Sequence, residues 1–310
     1  MPKYPSEIFG FPHYNRGEEA EIARGDRWCP FVDKKCYKQS RLVDFPFGVC
    51  STHFNGEDVA VCPRRFLDRN KIFVDIALHH FGSVNDILVF SEVRLPKTGS
   101  FDFVMLKHAP LSIEIEDFIV IEFQTGQTTG TGKLVQGFKD FLDGESIAYK
   151  TYGFGLNLYD IWKRTFTQVL NKGIILENWG QKIFWVVQEP VYRYFEDRYN
   201  LSEISFGQEH STVFAVYNLL GREERFELVA SRMTSSTIDQ LFNAFRNNPD
   251  IPSQDEFTEV LQAKIEAEMH LDLDLRLAGA RRSLDVKPPT STGRVRDRHG
   301  DQLPMFDDDE

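Results

Sequence analysis

Asp102, Glu122 and Gln124 combine two carboxylates with an amide at spacings suited to metal-assisted hydrolysis. Nineteen residues separate the first two, and one residue separates the last two. In the stretch "FIVIEFQTGQTTGTGK" (118–133), period-2 alternation puts Ile119, Ile121 and Phe123 on one face of a strand. Val120, Glu122 and Gln124 share the other face. A strand that only fills a core has no need of Glu122. Asp102 lies in the preceding strand-like segment "SFDFVML", so a hairpin can set it beside Glu122. Two carboxylates with carbonyls and water form a hard all-oxygen site that suits Mg²⁺. Such an ion lowers the pKa of bound water and stabilises charge developing on a phosphodiester. Gln124 would orient the attacking water. Glu114, Glu116 and Asp117 are rival carboxylates at a strand start, where solvated charge is expected. Glu92, in "FSEVRL", is an auxiliary candidate.

The second constellation is cysteine. Cys29, Cys36, Cys50 and Cys62 are the only four, and they cluster as C-x6-C-x13-C-x11-C. In a cytosolic chain a disulfide is improbable. Four thiolates suit a tetrahedral iron or zinc that staples a segment too short to build its own core. The spacing lacks a CxxC knuckle, so four buried free thiols are the competing reading. His53 could replace one cysteine as ligand.

The elements that must position these groups follow from the pattern along the chain. Residues 1–63 hold all four cysteines and little regular periodicity. "CPRRFLDRNKIFVDIALHHFG" has helical spacing, with Gly82 as its stop. "DILVFSEVRL" and "SFDFVML" are strand-like, and alternation places Phe101 and Phe103 together, opposite Asp102 and Val104. "KLVQGFKDFL" and "NLYDIWKRTFTQVLNKG" are predicted helices, the second closing at Gly173. "QKIFWVVQEPVYRYF" is a strand ending near Pro190. "STVFAVYNLL" and "RFELVASRM" are further strands, followed by helices around 238–245 and 257–269. The fold class is therefore α/β (α+β), with a mixed central sheet flanked by helices. The expected division is a metal-bound recognition segment at 1–63, a catalytic domain at 64–279 and a disordered tail at 280–310.

The 310 residues are 41% apolar and 27% charged, as in globular protein. No apolar run reaches the length of a membrane span, and the N-terminus lacks a secretory pattern. The chain reads as cytoplasmic. A net charge of −11 argues against a nucleic-acid partner only if it is evenly spread, and it is not. Asp307 to Glu310 are all acidic. Arg24, Arg27, Lys34, Lys35, Lys38 and Arg41 face only Asp26 and Asp33, and Arg64, Arg65, Arg69 and Lys71 surround Asp68. This basic third is either a phosphate-binding surface or a solvated charged face. The Gly/Thr loop from Thr125 to Lys133 offers hydroxyls and close backbone approach beside the metal, or is an ordinary surface turn.

Taken together, "WCPFVDKKCYK", "FPFGVCS", "AVCPRRF", "FDFVML" and "IVIEFQTGQTTGTG" resemble the NotI-type restriction endonucleases of the PD-(D/E)XK nuclease superfamily. The similarity runs from about Cys29 to Val187. It implies a bacterial homodimer that cuts double-stranded DNA at a GC-rich palindrome, with a GGCC core expected, using Mg²⁺ bound by Asp102 and Glu122. It also implies Gln124 in place of the usual catalytic lysine, and a structural rubredoxin-like iron on the four cysteines. A cognate methyltransferase would act on the same site. Arg24, Arg27, Lys34, Lys35, Lys38, Arg64, Arg65 and Lys133 are the candidate DNA contacts; arginine and lysine pair well with guanine O6 and N7. The sequence departs from the superfamily pattern in having Phe101 rather than proline before Asp102. The chain beyond Arg193 matches no part of this resemblance. A repair nuclease with an iron–sulfur cluster, or a metal-stapled DNA-binding protein without catalysis, are the alternatives.

Overall fold

The computed structural model describes residues 1–199, 201, 210–247 and 252–267. The chain opens with β1 (Tyr4–Ile8), β2 (Phe11–Pro12), α1 (Glu18–Gly25), and the short pair β3 (Trp28–Cys29) and β4 (Lys34–Lys35). β5 (Val49–Phe54) and β6 (Glu57–Ala60) form a hairpin turned at Asn55-Gly56, both with positive φ. These elements make a four-stranded sheet, order β2-β1-β5-β6, with β3 and β4 paired separately.

The expected single helix over residues 62–82 is two pieces. A 3-10 segment (Pro63–Asn70) meets α2 (Lys71–Phe81) at a kink, where Arg69 and Asn70 adopt φ of 51° and 54°. Proline starts the first piece, and asparagine tolerates the left-handed backbone that ends it. Gly82 closes α2 in the left-handed conformation, as predicted.

The site is carried by a six-stranded mixed sheet, order β14-β13-β12-β9-β8-β7. Its strands are β7 (Ile87–Leu95), β8 (Gly99–His108), β9 (Ile115–Phe123), β12 (Lys182–Gln188), β13 (Thr212–Gly221) and β14 (Phe226–Ser236). β12 runs parallel to both β9 and β13; the other pairings are antiparallel. Between β9 and β12 the chain forms β10 (Thr128–Thr129), α3 (Thr131–Leu142), β11 (Gly155–Leu156), α4 (Leu158–Gln168), a π turn (Val169–Gly173) and α5 (Ile174–Asn178). α6 (Glu189–Tyr199) and α7 (Ile238–Arg246) complete this layer.

One face of the sheet packs Met105, Ile119, Ile121 and Phe184 against Phe66, Phe73 and Ile76 of the 3-10 segment and α2. The opposite face packs Val120, Trp185, Val187 and Phe214 against Ile161, Trp162, Leu176, Val191 and Leu241 of the helical layer. Continuous apolar runs in β12 and β13 fit strands covered on both faces.

One expectation changes here. The helix predicted to close at Gly173 runs on through it, with φ of −62°. The chain packs closely on α7 at this point, where a Cβ would lie 2.7 Å from Ile238 Cδ1. Residues 1–63 lie within one compact unit, Met1–Ile251. The N-terminal sheet does build a core, but with a helix from far beyond residue 63. Ile8, Phe9, Phe47 and Val49 pack on Leu134, Val135, Phe138 and Phe141 of α3. The stretch beyond Arg193, which lay outside the family resemblance, supplies the two predicted strands β13 and β14 of the central sheet.

The second unit begins at Pro252, and its described part is α8 (Gln254–Glu266). A capping box between Ser253 and Glu256 starts this helix. The tail expected at 280–310 lies outside the described residues. No described helix is long and apolar enough to cross a membrane.

Candidate active site

Regular pairing of β8 with β9 stops at Phe103 and Ile121. One step further, side chains take over from the ladder. Asp102 Oδ2 accepts from the Phe123 backbone N–H at 2.8 Å, and the Asp102 N–H donates to Glu122 Oε1 at 3.4 Å. The expected alternation breaks at this point. Phe103 packs into the core under α2, whereas Phe101 packs into the core under α4. Asp102 thus sits where β8 changes face, still beside Glu122.

Glu122 is fully buried, and its Oε2 has no hydrogen-bond partner. Burial, followed by repulsion from Asp102, pushes its pKa up to about 7, against the opposing effect of Lys172. A buried, partnerless carboxylate oxygen next to a second carboxylate is where a hard cation fits. Asp102 and Glu122 are the residues that would hold it.

Gln124 continues beyond β9, its N–H donating to Val186 O at 2.9 Å. Its side-chain amide turns toward α4. Thr165 Oγ1 donates to Gln124 Oε1 at 3.0 Å, and Gln124 Nε2 donates to Gln168 Oε1 at 2.9 Å. Both ends of the amide are therefore engaged by the helix. Lys172, in the π turn, donates to Glu122 Oε1 at 2.6 Å. Arg164 of α4 lies near Asp102; burial lowers its pKa, and the Asp102 charge works in the opposite direction. Thr165, Gln168 and Lys172 recur at three- and four-residue spacing beside the buried Ile161. That polar stripe was the available signal, and sequence reading missed it.

The rival carboxylates stand elsewhere. Glu114 is exposed, Glu116 pairs with Lys107 at 3.2 Å, and Asp117 pairs with His80 at 2.9 Å. Glu92 lies on β7 between the register pairs Ser91–Phe103 and Val93–Phe101, across from Asp102, exposed and with φ of 54°.

All four cysteines line one cavity of about 120 Å³, together with Phe9, Phe47, Lys38 and Arg64. None is in a disulfide. Burial pushes the Cys29, Cys36 and Cys50 thiols up, and Cys50 is raised further by Glu7 and by its sister cysteines. Among the described residues, no three His, Cys, Asp or Glu side chains are drawn together closely enough to form a ready metal cage. The donor set nevertheless fits a thiophilic metal: four thiols, one cavity and neighbouring cations. His53 is directed elsewhere, paired with Asp58 at 3.2 Å and stacked on Tyr4.

The basic candidates divide by burial. Arg65 is fully buried, with Nε 3.0 Å from Glu7 Oε2 and Nη2 donating to Phe226 O at 2.5 Å. Arg24 is buried and donates to the carbonyls of Pro12 and Asn15. Lys38 Nζ donates to Val49 O and Val61 O, closing the cysteine hairpin. These three belong to the fold rather than to a free surface. Lys34, Lys35, Arg27 and Lys133 are exposed, and Arg64 is half-buried with its guanidinium over the Tyr37 ring. Glu7, the buried partner of Arg65, carried no sequence signal.

Residues 19–224 match the family model described as Restriction endonuclease NotI. The comparison with curated proteins returns no match. The matched segment covers α1 to the end of β13, and so includes both the cysteine cavity and the carboxylate pair. The chain belongs to the NotI restriction endonuclease family.

Proposed function

We propose that this family member is a type II restriction endonuclease that hydrolyses double-stranded DNA with Mg²⁺ held by Asp102 and Glu122. The observation that carries the reading is the pairing of Asp102 with Glu122 at the end of the β8–β9 ladder, one buried oxygen left free. The bound cation would supply Lewis acidity and stabilise phosphoryl charge. Asp102 and Glu122 anchor it, and the Phe123 N–H fixes the rotamer of Asp102. Gln124 acts in this scheme by keying α4 to β9 through Thr165 and Gln168. Glu92 is the auxiliary carboxylate. The arrangement of strands and carboxylates is read as the PD-(D/E)XK core.

The target class in this reading is a GC-rich palindrome with a GGCC core. A homodimer matches the two-fold symmetry of such a site and places one active site on each strand. Arg27, Lys34, Lys35, Arg64 and Lys133 are the exposed or half-buried cations available for DNA. The cysteine cavity is assigned a structural iron, with zinc as the alternative, and a cognate methyltransferase protects the same sequence.

The test is digestion of a fully sequenced, unmethylated DNA by purified protein with Mg²⁺, followed by run-off sequencing of the ends. Discrete ends at one GC-rich palindrome are expected. Random nicking would replace this reading with a repair-type nuclease, and an intact but gel-shifted DNA would replace it with a non-catalytic binder.

A further inference from the structure

The helical layer delivers a cation to the carboxylate site, and nothing in the strand pattern accounts for it. We propose that Lys172 is a positioning residue of the cleavage site, supplying from the helix the positive charge that position 124 of the strand, a neutral amide, does not carry. The proposal rests on the assignment of Glu122 to the site.

Three observations place the ammonium. Its Nζ donates to Glu122 Oε1 at 2.6 Å and to Ser100 O at 2.7 Å, and it lies 5.4 Å from the centre of the Phe101 ring. The Lys172 side chain is only 8% exposed and that of Glu122 only 1%, so this is a buried pair rather than a surface one. Lysine is almost never buried without a partner, and such a pair is strongly sensitive to loss of one member.

The backbone that carries Lys172 is unusual and clamped. It lies in the π turn Val169–Gly173, inserted between α4 and α5; such turns occur frequently at functional sites. The next residue, Gly173, packs closely under Ile238, whose Cδ1 would lie 2.7 Å from a Cβ placed there. That contact fixes the turn against the start of α7 and, with it, the origin of the lysine side chain.

The consequence for the site is specific. Lys172 occupies Oε1 of Glu122 and leaves Oε2 without a partner. The carboxylate is thus held in one rotamer, charge-balanced on one side and open on the other. Ser100 and Phe101 immediately precede Asp102, so the same ammonium also tethers the point where β8 changes face. Gln124 makes no such contact, since Thr165 and Gln168 hold both ends of its amide.

A purely structural role for Lys172 makes different predictions, and one set of variants separates the two. Lys172→Met, Glu122→Gln and the double variant are compared by thermal unfolding without metal, and by single-turnover cleavage of a cognate duplex in Mg²⁺. Calcium-supported DNA binding is measured alongside. Lys172→Met is expected to lower the melting temperature by roughly 5–10 °C in the wild-type background. In the Glu122→Gln background the same change should cost nothing or stabilise, because the ammonium it removes is there an unpaired buried charge. The cleavage rate of folded Lys172→Met should fall about 100-fold or more, with binding retained. Wild-type cleavage by Lys172→Met overturns the proposal. So does an equal melting loss in both backgrounds, which would reduce the lysine to a tether for Ser100. The unfolding cycle reads the pair directly, so an absence of cleavage in the wild-type protein would count against the nuclease assignment and not against the pairing.

Discussion

The Gly126 N–H donates to the carbonyl of Ala60 at 2.9 Å, joining the loop that leaves β9 to the hairpin that carries Cys50. The Ala60 N–H in turn donates to Gln188 Oε1 at the end of β12. The cysteine-bearing hairpin and the central sheet are therefore joined by a backbone hydrogen bond two residues beyond Gln124.

That connection leaves no room at Gly126. A Cβ there would meet Ala60 O at 2.9 Å and Val59 Cγ1 at 3.2 Å. Gly126→Ala should destabilise the protein by about 1–3 kcal/mol, as overpacking does. Because the displaced backbone adjoins Gln124, cleavage by the folded variant should also fall. Chemical denaturation and single-turnover kinetics check the two effects separately.

Asp102→Ala and Glu122→Ala should each reduce cleavage by about 1000-fold or more, since each removes a negatively charged oxygen donor from the proposed cation site. Binding to cognate DNA in Ca²⁺ should survive well enough to measure. Gln124→Ala should cost about 10–100-fold, the range for a group that orients others. Full activity in any of the three would remove that residue from the site.

Replacing Cys36 by Ser should abolish bound metal and lower the melting temperature by roughly 10 °C or more. Elemental analysis of the purified protein, with and without chelator treatment, gives the stoichiometry and tells iron from zinc. A metal-free variant that melts normally would return the four cysteines to the status of buried thiols.

Glu7 gives a pH dependence of defined sign. Its burial outweighs the attraction of Arg65 and pushes the pKa from 4.5 up to about 7. A carboxyl raised in the folded state contributes stability that is complete below about 4.5 and is lost as the pH rises through about 7. The loss is on the order of 3 kcal/mol for a shift of this size. Melting temperatures between pH 4.5 and 7.5 should fall more steeply for the wild-type protein than for Glu7→Gln. Parallel curves would show that Glu7 does not titrate in this window.

What the sequence determined by itself is what short-range periodicity can encode. Alternation along 118–124 set Glu122 and Gln124 on one face, and in the structure both side chains meet the helical layer. The strands around Phe184, Phe214 and Leu228, the left-handed stop at Gly82 and the clustering of four cysteines were legible for the same reason. Side-chain period and backbone preference act over a few residues, and one chain displays them directly.

Tertiary structure decided whatever depended on partners distant in sequence. The alternation expected at Phe101 and Phe103 gives way because Asp102 satisfies the Phe123 N–H in place of the ladder. Arg65 looked like a DNA contact in a basic run, yet it lies against Glu7 at the far end of the chain segment. The strands around Ile8 and Val49 complete their core with α3, and Lys172 reaches Glu122 across fifty positions. In each case burial of a charge or an apolar face required a complement that folding alone brings into reach, and local pattern carries no record of that complement.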